Sequence, residues 1–82
     1  MHIGNRIEQV FREQGRSPSW LAQRLNMVRV NVYDIFRRPS VDTELLRRIS
    51  VLLDYDFFAE LSSELSESTT TDLTVDKGKN EN

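Results

Sequence analysis

Cysteine is missing altogether from the 82 residues. That removes disulfides and thiolate metal sites, and it fits a reducing, cytoplasmic setting. Histidine occurs once. His2 has no His, Cys or carboxylate partner at ligand spacing, so it reads as a mobile terminal residue and no metal is expected. Glycine is scarce, and none of its three copies sits in a phosphate-cradling loop. Nor is there a nucleophile–base pair. Glu8 and Glu13 look like surface charge, so no catalytic residue, cofactor or small-molecule ligand is expected. No apolar run approaches the ~20 residues of a membrane span, and no secretory h-region opens the chain, so a membrane partner is not expected.

Lysine, too, is absent before position 77, and the uneven placement of charge is more informative than its sum. The chain carries −2 overall. Residues 1–53 hold nine Arg and five acids, for +4, whereas residues 54–82 hold two Lys and eight acids, for −6. A basic part followed by an acidic end is compatible with a nucleic-acid partner despite the negative total. Guanidinium forks, moreover, suit phosphate oxygens and guanine edges better than ammonium groups do.

Apolar residues recur at helical spacing along the basic part. Ile3, Ile7, Val10 and Phe11 predict a first helix from Ile3 to Gln14, with Gly15 as its stop. Pro18 to Leu25 forms a second and about Arg29 to Arg37 a third, ended by Pro39. Asp42 caps a fourth helix whose stripe is Leu45, Leu46, Ile49, Leu52 and Leu53. Asp56 caps a final one, with Phe57, Phe58 and Leu61 inward and Leu65 near its end. No stretch alternates with period two over five residues, so the expected class is all-α. From Ser66 the composition turns to Ser, Thr, Asp, Glu, Lys and Asn, with only Leu73 and Val75 apolar. The expected division is therefore one domain at 1–65 and a disordered polar tail at 66–82.

The segment from Ser17 to Phe36 organises the reading. Ser17 is a good N-cap and Pro18 fits the first helical position. Leu21, Ala22 and Leu25 share one face. Asn26 tolerates a left-handed turn, and Val32, Ile35 and Phe36 face inward on the next helix. A small residue at a helix crossing, a turn residue four later and a branched apolar residue six after that make a helix-turn-helix skeleton. Ala22, Asn26 and Val32 occupy those places.

Five helices with the turn between the second and third resemble the Xre-type, phage repressor and Cro-like DNA-binding domain, over about residues 3–65. Trp20-Leu21-Ala22, then N-V-Y-D-I-F followed by V-D-T-E-L-L-R-R-I-S-V-L-L-D-Y-D-F-F, is similar to a bacterial subgroup of small Xre-like regulators. The resemblance implies a five-helix repressor-like bundle that acts as a sequence-specific transcriptional regulator, a repressor by expectation, with helix three in the major groove of double-stranded DNA. Two positions depart from the pattern. The turn holds Asn26 in place of a glycine or small residue. The entry to helix three is Val28-Arg29-Val30-Asn31, where the subgroup commonly has Asp-Arg-Thr-Asn; a valine cannot cap, a loss of about 1 kcal/mol against Asp.

At 100° per residue, Arg29, Val30, Tyr33, Asp34 and Arg37 lie opposite the inward side of helix three. They are the candidate base-reading residues: Arg29 toward guanine O6 and N7, Val30 toward a thymine methyl, Tyr33 toward a base or phosphate. Asp34 can orient Arg29 or Arg37, or accept from a cytosine amine. Phosphate anchoring is expected from Arg16, Ser17 and Ser19 at the start of helix two, from Asn31, and from Arg38 and Ser40 in the next loop. Trp20 reads as a packed flank residue, against helix one or the final helix. Val51 and Tyr55 mark where a homodimer contact can form. The competing reading is a protein-interaction module or antitoxin-like subunit that keeps the fold without specific DNA readout, suggested by Val28, Val30, Asp34 and the net charge.

Overall fold

The structure, a computed structural model, describes the backbone of residues 1–76 and the side chains of residues 1–67. The chain is all-helical over the described residues: α1 (Ile3–Glu13), α2 (Pro18–Leu25), α3 (Arg29–Arg37), α4 (Thr43–Leu53) and α5 (Phe57–Asp76). Short polar side chains start most of them. Ser17 Oγ accepts from the Trp20 amide at 3.1 Å, Asp42 Oδ1 from Leu45 at 2.7 Å and Asp56 Oδ1 from Ala59 at 2.9 Å. Each satisfies an amide the helix cannot pair internally. His2 corrects its reading as a mobile terminal residue. Its Nδ1 accepts from the Asn5 amide at 3.1 Å and caps α1, a role an imidazole nitrogen can fill although histidine is not among the favoured caps.

Three helices end by one device. Gly15, Asn26 and Asp54 all take positive φ, at 70°, 58° and 50°. In each case the next amide reaches back five residues: Arg16 to Phe11, Met27 to Ala22 and Tyr55 to Ser50. Glycine does this without strain, and Asn and Asp are the L-residues that tolerate it best.

The apolar stripes meet in one core. Ile3, Ile7, Val10 and Phe11 from α1 join Leu21, Ala22 and Leu25 from α2, and Val32, Ile35 and Phe36 from α3. Leu46, Ile49, Leu53 and Phe57 complete it, with Leu45, Leu52 and Leu61 half-buried around them. The Phe11 and Phe36 rings lie 5.3 Å apart at a 49° tilt, joining α1 to α3. Phe58 departs from its expected inward place and stays 37% exposed. Phe57 is fully buried, and the next residue on a helix is turned about 100° from it.

Gly4 sets how α1 meets α3. The amides of Ile3 and Gly4 donate to the carbonyls of Pro39 and Arg38 at 3.0 and 2.9 Å. The positive end of α1 thus sits on the negative end of α3. A Cβ on residue 4 would come no farther than 2.6 Å from the carbonyl oxygens of Ile35, Phe36 and Arg38. At the other end of the chain, the Arg6 guanidinium grips Glu60 through two hydrogen bonds of 2.8 and 2.7 Å and donates to Tyr55 Oη at 2.7 Å. Tyr55 Oη donates in turn to Glu60. This triad ties α5 to α1. The hydrogen bonds from Arg6 hold the Glu60 carboxyl below its ordinary range, against a smaller opposing effect of desolvation.

α5 also runs further than expected. Helical backbone continues through Ser66 to Asp76, where the composition predicts a disordered tail; residues 77–82 of that tail lie outside the described residues. Once Phe57 and Leu61 dock the first turns, each added residue brings one more hydrogen bond without a new nucleation step.

Gly4→Ala should destabilise the fold by about 1–3 kcal/mol or more, since backbone carbonyls have little room to retreat; thermal melts read this directly. Glu60→Gln should also lower the melting temperature at neutral pH. A depressed carboxyl contributes stability that is complete above the unfolded carboxylate range and lost as pH falls through the folded value. The gap between wild type and variant should therefore close in acid. A gap that holds constant across that range would mean the ion pair does not carry the effect.

Candidate nucleic-acid interface

The expected base-reading and phosphate-anchoring residues fall on α3, on the loop after it and at the start of α2. Asn26, in the left-handed conformation, reverses the chain after α2, and Met27 tucks half-buried against the core. α3 then starts at Arg29, within reach of the beginning of α2. The two starts touch, since Arg29 Nη1 donates to Ser19 Oγ at 3.3 Å. A candidate base reader and a candidate phosphate anchor, ten residues apart, therefore share one surface.

Ser17 Oγ accepts from the Trp20 amide, and its hydroxyl proton is left as a donor. Arg16 lies just upstream with its guanidinium 4.2 Å from the Trp20 ring centroid, and Arg24 approaches the same ring at 5.5 Å. Trp20 itself is half-buried and packed on the core. Its flank position is as expected, and it also holds the two cations over its ring, a contact worth about 0.5–1 kcal/mol at exposed sites.

Along α3, Val32, Ile35 and Phe36 are buried and Arg29, Val30, Asn31, Tyr33 and Arg37 are exposed. Tyr33 rests its ring edge-on against Phe36, with centroids 6.3 Å apart, which fixes the ring beside the core. Asp34, of the three roles open to it, takes the orientation of Arg37, with which it forms an ion pair one turn along the helix. Arg37 therefore leans along α3, and the acid is neutralised on that face. Arg38 and Ser40 are exposed in the loop after α3. The Arg38 and Pro39 carbonyls accept from α1, so Gly4 and Ile3 also fix the loop that carries these two side chains. That link lies 34 residues away in sequence, and its only local signal is a glycine near a helix start, where it weakens the helix.

The entry to α3 stands out from the other starts. Val28 occupies the cap position in an extended conformation and gives no side-chain hydrogen bond. It is 62% exposed, and Val30, two residues on, is 59% exposed. The first-turn amides of α3 are thus left without a side-chain acceptor, at the positive end of the helix dipole. Arg29 stands between the two valines in sequence, whereas Arg37 and Arg38 lie at the opposite end of α3.

Elsewhere the arginines serve the fold. Arg6 is bound to Glu60, Arg12 pairs with Glu8, Arg47 with Glu44, and Arg48 donates to the Leu25 carbonyl at 3.3 Å. Val51 is exposed on α4, while Tyr55 is engaged with Arg6 and Glu60 and packs its ring on Phe57. Among the described residues there is no group of three or more His, Cys, Asp and Glu that could hold a metal ion, and no helix long and apolar enough to cross a membrane. No family model, curated protein or solved structure matches this chain.

Restoring a cap at the α3 entry should raise stability. Val28→Asp is expected to add about 1 kcal/mol, read as a rise of roughly 4–8 °C in melting temperature for a domain of this size. An unchanged melting temperature would mean that something other than the missing side chain already satisfies those amides.

Proposed function

We propose that the chain is a sequence-specific DNA-binding regulator, a repressor by resemblance, in which α2 and α3 act as a helix-turn-helix of the Xre type. One observation carries this reading more than any other. The starts of α2 and α3 share a surface, joined through Arg29 and Ser19, with Arg16 just upstream of α2 and Arg29 opening α3. A helix start offers phosphate oxygens free amides and a favourable dipole field. An exposed α3 flank offers side chains to base edges, and the major groove is wide enough to admit a helix.

In this reading, contacts divide into two classes with different consequences. Arg16, Ser17, Ser19, Asn31, Arg38 and Ser40 set position on the backbone, while Arg29, Val30, Tyr33 and Arg37 face the bases, with Asp34 orienting Arg37. Backbone contacts release counterions and depend on salt but not on sequence. The rigid core behind α3 keeps the reading flank at fixed height above the loop bearing Arg38 and Ser40.

Fluorescence anisotropy on duplexes enriched from a random pool tests this. Arg38→Ala should weaken all duplexes about equally and reduce the salt slope by about one. Arg29→Ala should weaken the enriched duplex by roughly 1–3 kcal/mol and relax preference at one base pair. Indifference of the wild-type protein to every duplex at low salt, together with a stable complex with another protein, would favour the interaction-module reading instead.

A further inference from the structure

Along one flank of α4, charge is sorted by sign. Arg47 and Arg48 come first, Val51 follows one turn later, and Asp54 closes the helix, with Asp56 just beyond it. Val51 is 68% exposed and borders two hollows at once. One is lined by Arg24, Arg47 and Arg48, the other by Asp54 and Asp56. Arg48 and Asp54 stand three residues before and after Val51, so they lie equally far from it, about 4.5 Å along the helix axis.

Asp54 is the residue on this flank that the fold itself does not explain. It ends α4 in the left-handed conformation, a turn that Gly or Asn makes without a charge. Its carboxylate stands at the negative end of the α4 dipole, where a cation is favoured, and the last turn of α4 supplies none. Among the described residues it has no hydrogen bond or ion pair. The arginines on the other side of Val51 keep donors in reserve. Arg48 gives one of its five N–H groups to the Leu25 carbonyl. Arg47 pairs with Glu44 one turn back, but both side chains are exposed, and such pairs contribute little. Arg24 approaches the Trp20 ring and makes no hydrogen bond among the described residues.

A duplex does not fit this flank, because its phosphates would meet Asp54 and Asp56. An unrelated protein would need the same three elements in reverse order. A second copy of this chain has them already, since positive, apolar and negative read one way are negative, apolar and positive read the other. That is the self-complementarity a two-fold contact requires. We infer that two copies pack α4 against α4, antiparallel, about a two-fold axis at Val51. Each Val51 meets the other, and the basic hollow of each copy covers the acidic hollow of its mate. Arg47 and Arg48 then lie level with Asp54 of the second copy and supply the cation its helix end lacks. Tyr55, whose hydroxyl is committed to Arg6 and Glu60, plays no part in the pairing. The contact is built on α4 and stands whatever α3 binds.

Analytical ultracentrifugation of the full chain over a range of concentrations reads the pairing. The wild-type mass should climb from 9.6 kDa toward twice that value, and added salt should move the climb to higher concentration. Val51→Glu sets two carboxylates against each other at an exposed position. It should weaken association at least about tenfold while the dilute chain melts as wild type does. Arg47→Glu and Asp54→Arg should each weaken association as well. Their mixture should associate more tightly than either variant alone, because each junction then sets an acid against a base. A wild-type chain that stays monomeric at every concentration overturns the inference. Association that Val51→Glu leaves untouched overturns it too, as does a mixture of the two folded charge variants no tighter than its components. A duplex titration that shifts the NMR signals of Val51 and Asp54 would give this face to DNA and overturn it as well.

Discussion

The arrangement depends on the seating of one helix start on another helix's end. The Ile3 and Gly4 amides donate to carbonyls at the exit of α3, and opposed partial charges make this a favourable way to satisfy two sets of unpaired backbone groups at once. Only a residue without a Cβ permits the approach, because three carbonyl oxygens crowd residue 4. From that junction α1 holds α3 by Phe11 on Phe36 and by the Val10, Ile7 and Ile3 row. The α3–α4 loop is pinned by the same bonds. The exposed flank of α3 and the loop beside it are therefore parts of one rigid unit.

What was legible in the sequence is what local chemistry decides. Ser17, Asp42 and Asp56 cap as short polar side chains do, and Asn26 turns left-handed where a turn was needed. The stripes of α1 to α4 end up inside because period 3.6 leaves them no other common face. The failures have equally physical origins. Arg6 meets Glu60 and Tyr55 across 54 and 49 residues, and nothing local distinguishes that arginine from its surface-paired neighbours. The crowding at Gly4 comes from the carbonyls of Ile35, Phe36 and Arg38, far along the chain. Phe58 shares its hydrophobicity with Phe57 but not its side of the helix.

The candidate surface shows the same division. That α3 presents Arg29, Val30, Tyr33 and Arg37 outward follows from spacing alone. That Arg29 lies against Ser19 and Asp34 against Arg37 does not, since each arginine has several acceptors within reach of its long side chain. These contacts turn Arg29 toward the start of α2 and Arg37 along α3.

The left-handed stop at Asn26 carries a consequence for how this surface can vary through evolution. The Met27 amide closes on Ala22 across a fixed count of residues, so α3 inherits its rotational setting from that bond. One residue added at the bend would break the Met27–Ala22 closure and displace Met27 from its half-buried place against the core. Substitutions on α3 can therefore change what it touches and leave this corner alone, whereas an insertion or deletion here has to rebuild it.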